Sequence, residues 1–341
     1  MIFFRRKGDR EKDVAKARPR YLGEDPIIIG VFSSEIGAGV SSIASSLCLL
    51  FSCLGYGCVF IDMDVFGAVS SRMIFHRGLA SKADSLYAED AARNNASLLH
   101  IIARGGKAVS LLDPGVSGVS LRGGRTLPSQ RLYVLPGRLL TEDLRLFTPP
   151  DRCDSETHKI LLRSVVDVDR AFSERVYGEA VRLAVMGARE AALREGVRYI
   201  VIDSIPMPRG EEYFCGHREM ISAAIESVDR ALLASSFDTG ARGLDDVLRL
   251  VRKRYRAMMR KIDALIINKA FDDEEKEKII ETARRNGVER IYFIRYDPDW
   301  SSTTTVPIAR AVSGASEDLI GIALSLGYIS KKDLEALDAE L

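Results

Sequence analysis

From Pro26 onward, short apolar runs rich in β-branched residues alternate with longer stretches of helical periodicity. The runs are Ile27–Phe32, Cys58–Asp62, Leu132–Leu135, Tyr199–Asp203, Ala231–Ser235, Ala264–Asn268 and Arg290–Ile294. They are apolar at successive positions, as strands of a parallel sheet must be when helices cover both faces. Ser41–Leu54, Glu174–Glu195 and Asp245–Ile262 supply the helical patterns between them. This alternation predicts an α/β fold: a doubly wound, mostly parallel sheet of about seven or eight strands with helices on both faces. The stretches around 68–131 and 138–172 are less regular and hold Gly, Pro and Ser clusters. They are expected as insertions over the edge of a single domain spanning 26–341. No internal repeat is found.

Composition adds limits. The 341 residues are 46% hydrophobic, enough for one large core. Basic and acidic residues nearly cancel, 49 against 48, so attraction to a polyanion must come from a local patch. One patch lies in residues 1–25, where Met1-Ile2-Phe3-Phe4 precedes Arg5, Arg6, Lys7, Arg10, Lys12, Lys16, Arg18 and Arg20. Without apolar periodicity it reads as a flexible tail, with a weak anchor to anionic surfaces as the sharper alternative. The most apolar stretch, 43–54, is broken by serines and is too short to span a bilayer. With no signal-peptide pattern either, the expectation is a cytoplasmic protein without a transmembrane segment.

Cys48, Cys53, Cys58, Cys153 and Cys215 form no Cys-x-x-Cys pair, which predicts reduced core thiols and neither zinc nor an iron–sulfur cluster. His76, His100, His158 and His217 show no metal-ligand spacing. A single glutamine and four asparagines beside abundant Arg, Lys and Glu match the composition of a thermophile.

The chemistry concentrates after the first strand, in Ser33-Ser34-Glu35-Ile36-Gly37-Ala38-Gly39-Val40-Ser41-Ser42, where a helix follows at once. Glycines let the backbone approach a ligand there, and the helix's first amides face an anion. Against the P-loop pattern Gly-x-x-x-x-Gly-Lys-Ser/Thr, Ser34 replaces the first glycine and Val40 the lysine, while Gly39 and Ser41 match.

Further motifs follow in order. They are Cys58-Val59-Phe60-Ile61-Asp62-Met63-Asp64-Val65-Phe66-Gly67, Ala96-Ser97-Leu98-Leu99-His100-Ile101-Ile102 and Leu132-Tyr133-Val134-Leu135-Pro136-Gly137. Then come Tyr199-Ile200-Val201-Ile202-Asp203-Ser204-Ile205-Pro206, Ile266-Ile267-Asn268-Lys269 and Tyr296-Asp297-Pro298-Asp299. Together they resemble the ParA/MinD superfamily of deviant-Walker-A P-loop ATPases, over roughly residues 26 to 325. The first is similar to that family's Asp-x-Asp-x-x-Gly strand end, the fourth to its Walker B and switch II segment. The atypical loop makes the CpaE/TadZ-like branch attractive, although that branch's receiver-like domain has no counterpart here.

The resemblance implies a P-loop NTPase-type fold, ATP or ADP with Mg²⁺ as ligand, and a homodimer sandwiching nucleotide. It also implies a role in positioning or partition of DNA or a cellular machine through partner proteins. By position it assigns phosphate contacts to Gly37, Ala38, Gly39, Val40, Ser41 and Ser42. Mg²⁺ falls to Ser41, with Asp62 and Asp203 near the metal; the attacking water falls to Asp64 and the adenine to Asn268. Two departures stand out. Val40 occupies the place of the P-loop lysine, and Glu35 that of the signature lysine that reaches the partner's phosphate. Phosphoryl transfer depends on cations stabilising charge on the phosphoryl oxygens, so hydrolysis is expected to be very weak or absent. Arg138 is considered as a substitute cation, against the plainer reading of a surface arginine.

In the predicted helix 245–262, Arg249, Lys253, Arg256 and Arg260 form one stripe and apolar residues lie near the opposite face. Non-specific DNA binding through phosphates, an anionic membrane surface and a plain solvated face are the three readings of that stripe. The alternative to a nucleotide-dependent switch is a nucleotide-free pseudo-ATPase serving as a scaffold or partner subunit.

Overall fold

In a computed structural model of the chain, all seven predicted strands pair into one parallel sheet. Described are residues 24–65, 130–137, 174–207, 216–301, 306–309, 313–333 and 335, with pieces at 71, 73–74, 97–98, 101–102, 111, 119–120 and 126–127. The expected basic tail, apart from 24–25, most of both insertions and Arg138 lie outside them.

The elements are β1 (Ile27–Phe32), α1 (Val40–Cys53), β2 (Cys58–Asp62), β3 (Val119–Ser120), β4 (Thr126–Leu127), β5 (Leu132–Leu135) and α2 (Glu174–Glu195). They continue with β6 (Tyr199–Asp203), α3 (His217–Ser227), β7 (Arg230–Ser236), α4 (Gly240–Arg254), α5 (Arg256–Met259) and β8 (Ile262–Ala270). Last come α6 (Asp273–Arg285), β9 (Ile291–Arg295) and α7 (Gly314–Ser325). The sheet order is β5-β2-β6-β1-β7-β8-β9, and β3 and β4 form a separate antiparallel pair.

Burial explains the unbroken apolar runs. On one face Ile29, Val31, Phe60, Val134, Val201, Leu232 and Ile266 pack with α1 and α7. On the other, Ile28, Val59, Ile61, Ile200, Ile202, Leu233 and Ile267 pack with α2, α3, α4 and α6. Each strand supplies both cores with a period of two. The chain leaves β1 through α1 towards β2 on one side, and leaves β6 towards β7 on the other. The carboxyl end of β1 is therefore the switch point at which open α/β sheets bind ligands.

One predicted element needs correction. The helix expected over 245–262 is α4 followed by the single turn α5, broken at Tyr255, and Ile262 already belongs to β8. Tyr255 has φ −126° and ψ 50°, outside the helical region. Beyond the break, Lys261 donates to the carbonyls of Ile225, Glu226 and Val228 at 2.7–2.9 Å, capping the end of α3 and steering the chain into β8. Among the described residues no helix is long and apolar enough to cross a membrane.

Candidate functional site

The glycine-containing loop expected to hold phosphate leaves β1 at Phe32 and enters α1 at Val40. Its start is fastened by backbone bonds: Ser204 N–H donates to the Val31 carbonyl at 3.2 Å and Met207 N–H to the Ser33 carbonyl at 2.6 Å. Gly37 and Gly39 have φ of 81° and 88°, the left-handed region where a side chain is strained. Gly39 is also a close approach, because a Cβ there would stand 2.1 Å from Asn268 Nδ2. As N-cap residue of α1 it brings no side-chain acceptor, so the helix's first amides have no local cap. Uncapped amides behind two left-handed glycines form a cradle that suits phosphate oxygens. Ser41 and Ser42 are half-buried at its base, and Val40 packs part of its side chain on the α1 core.

Asn268, at the end of β8, is buried against this loop, with Nδ2 donating to the Ala38 carbonyl at 3.2 Å and Oδ1 accepting from Lys269 N–H at 2.9 Å. Lys269 is left-handed there, with φ 65°. One amide N–H of Asn268 thus shapes the loop. Glu35 also turns inward: its Oε2 accepts from Ser235 Oγ at 3.0 Å and from Ser236 N–H at 2.9 Å. Neither serine stands out in the sequence, beyond being a polar pair that ends an apolar strand.

The acids sit one and two strands from β1. Asp62 and Asp203 end β2 and β6 as register partners, and Asp203 also pairs with Val31 of β1. Both are buried, while Asp64 is half-buried. Asp62 Oδ1 accepts from Asp64 N–H at 2.8 Å; its Oδ2 accepts from Ser71 N–H at 3.0 Å and Ser71 Oγ at 2.5 Å. Burial first, and the charge of Asp64 second, push the Asp62 carboxyl up to about 6 against those hydrogen bonds. Ser71, the anchor of Asp62, falls in a stretch that sequence patterns left irregular. Among the described residues no three His, Cys, Asp or Glu side chains converge as a metal site.

The basic stripe is gathered despite the break at Tyr255. Arg249, Arg252, Lys253, Arg256 and Arg260 line a shallow groove of about 570 Å³ with Met259. Arg249 is paired with Asp245 at 2.6 Å, and Arg252 donates to the Asn286 carbonyl at 2.7 Å. Because β7 and β8 are parallel, α4 starts at the sheet's carboxyl edge beside the phosphate loop and ends at the opposite edge. The groove and the loop are separated by about 20 Å of helix.

No family model matches the chain, and no curated protein does. Solved structures do match. The cell division ATPase MinD of Pyrococcus furiosus is 17% identical, with a TM-score of 0.50 over 91% of this chain and 99% of that one. A plasmid partition protein of Borrelia burgdorferi bound to AMPPNP is 17% identical, with a TM-score of 0.51 over 88% and 99%. The MinC:MinD cell division complex of Aquifex aeolicus gives 16% and 0.50 over 89% and 97%. The fold is that of MinD and of this plasmid partition protein. Within the MinD-like fold, Glu35 stands in the loop after β1, and Val40 is the first residue of α1.

Proposed function

We propose that this chain is a nucleotide-dependent dimeric switch that positions or partitions DNA or a cellular machine, with ATP hydrolysis very weak or absent. The observation that carries the reading is the formed phosphate loop: left-handed Gly37 and Gly39 at the uncapped head of α1, at the sheet's switch point. That shape fits the phosphates of ATP or ADP through the amides of residues 37–42. For Mg²⁺ the fitting donor is the Ser41 hydroxyl, with Asp62 and Asp203 as outer partners, since both Asp62 oxygens already accept hydrogen bonds. Mg²⁺ keeps several waters and needs few protein ligands, so the lack of a three-acid cluster among the described residues is compatible with it. When bound, the metal supplies positive charge against the phosphates.

The chain's own residues then limit the chemistry. Val40 offers no cation where transferred charge develops, a loss on the order of 3 kcal/mol of transition-state stabilisation. Asp64, half-buried beside Asp62, is the candidate to orient water. Asn268 retains a second amide N–H for the base after its bond to Ala38. Ile36, 83% exposed at the loop's tip, offers an apolar contact to a second copy. The basic groove fits DNA phosphates bound without sequence preference.

The scaffold reading is favoured by one feature: Asn268 and Glu35 already satisfy parts of the loop's surroundings from within the chain. Calorimetric titration with Mg-ATP and Mg-ADP, together with a phosphate-release assay, separates the two. Binding without turnover is expected. Robust phosphate release would overturn the weak-hydrolysis assignment, and no binding of either nucleotide would leave only the scaffold.

A further inference from the structure

The phosphate loop and the basic groove lie at opposite edges of the sheet, and one side chain bridges the loop to the helix that carries the groove. Glu35 N–H donates to Ser33 Oγ at 2.9 Å, while its carboxylate takes Ser235 Oγ and Ser236 N–H from the end of β7. Ser236 immediately precedes the 3₁₀ turn Phe237–Thr239, which leads straight into α4. Neither the turn nor α4 has a side-chain cap of its own. Their acceptors come from other elements: Glu35 at Ser236 N–H, and Glu275 of α6 at Ala241 N–H, 2.9 Å away. The far end of α4 then supplies Arg249, Arg252 and Lys253 to the groove.

We infer that Glu35 is a positioning residue that fastens the loop after β1 to the end of β7, where the chain turns into α4, so that an anion in the loop and a polyanion in the groove alter each other's binding. An anion drawn to the amides of residues 37–42 lies close in sequence to the Glu35 carboxylate and repels it, which weakens its hold on Ser236. α4 is a continuous helix, so a change at its head is transmitted to the cations at its far end. Such linkage is reciprocal: the groove's occupant must change loop affinity by the same factor. The fastening stands on the hydrogen bonds alone, whereas the coupling rests on the nucleotide-switch reading.

Hydrogen exchange read by mass spectrometry on the full chain tests the fastening without any ligand. Glu35→Ala is expected to speed exchange at residues 35–39 and 236–241 by about tenfold, the loss of a charge-assisted hydrogen bond. Glu35→Gln keeps an acceptor oxygen and is expected to retain most of the protection. Ser235→Ala, which removes one of the two partners, should fall between them and serves if Glu35→Ala does not fold. Unchanged exchange in Glu35→Ala, or in Ser235→Ala where that variant stands in, would overturn the fastening. The coupling is read from the affinity of a fluorescent ADP analogue with Mg²⁺, with and without a short DNA duplex. A DNA-dependent change in the wild type that vanishes in Glu35→Ala supports it, and equal changes in both overturn it. A wild type that binds no nucleotide overturns the switch reading and the coupling together, while the exchange arm still decides the fastening.

Discussion

Two buried titratable groups should oppose each other in the pH dependence of stability. Asp62 at the end of β2 is held up to about 6 from 3.8, and His217 at the head of α3 is lowered by burial from 6.5 to about 4. Between pH 4 and 6 the folded chain keeps a proton on Asp62 that the unfolded chain has released, so this contribution falls as pH rises. It is fully present only below 3.8. In the same window the unfolded chain protonates His217 and the folded chain does not, so that contribution rises with pH and is lost as pH falls through 4. One proton of difference is worth about 1.4 kcal/mol per pH unit. The two slopes have opposite sign and nearly cancel, although each alone amounts to about 3 kcal/mol.

Urea midpoints measured in EDTA across this window for wild type, Asp62→Asn and His217→Gln expose the cancellation. The asparagine retains an acceptor for the Asp64 amide but sets an NH₂ group against Ser71, a cost that does not vary with pH. The stability of Asp62→Asn relative to wild type should therefore climb by about 1.4 kcal/mol per pH unit, and that of His217→Gln should fall by about as much. Differences that stay level with pH in both variants would refute the reasoning.

Gly39→Ala should cost about 2 kcal/mol or more, from left-handed strain plus the contact with Asn268, and should abolish nucleotide binding, whereas Gly37→Ala should cost about 1 kcal/mol because nothing lies near its Cβ. Urea titration and calorimetry of the pair check this contrast. The Asp263 side chain is 6% exposed and accepts from Arg230 at 2.9 Å, Arg290 at 2.7 Å and the Tyr328 hydroxyl at 2.8 Å. Asp263→Ala should therefore lower stability by about 3 kcal/mol in thermal or urea unfolding. Changing Arg256 and Arg260 to Glu should reduce retention on DNA and make the log–log salt dependence shallower by about 2; unchanged, salt-sensitive retention would end the DNA assignment. Val40→Lys should tighten nucleotide binding about tenfold, read by calorimetry, if the loop holds phosphate.

The sheet was legible because its strands are buried on both faces. Ile27–Phe32, Cys58–Asp62, Leu132–Leu135 and Tyr199–Asp203 end at the expected residues, and the remaining strands are longer or displaced by one or two residues. The hinge at Tyr255 was not legible. Its apolar ring continues the helical stripe, and only packing of the buried ring and the capping of α3 by Lys261 impose the turn. The loop's position followed from its glycines, but the partners of its polar side chains did not. Glu35 finds Ser235 and Ser236, Asn268 finds Ala38, and Asp62 finds Ser71 at sequence separations of 200, 201, 230 and 9. Hydrogen bonds across such separations leave no periodic trace along the chain.

These partners redistribute the work that a lysine would do. A cation at Val40 would attract phosphate directly, over a distance at which one charge–charge contact matters more than any single amide. Without it, the proposed nucleotide would have to be held by backbone dipoles and by the charge of an accompanying metal. The rigidity of the cradle then counts for more, because amides held in place bind an anion without paying to be ordered. The ties that hold it are the bonds from Asn268 to Ala38, Met207 to Ser33, and Glu35 to β7. On the proposed nucleotide-switch reading, Glu35 has two opposing effects on a bound anion: its hydrogen bonds preorganise the loop, and its charge repels the phosphates. On the proposed reading, such a loop would keep binding more readily than hydrolysis, since amides serve ground state and transition state alike, while the missing cation would have acted on the charge that develops only during transfer.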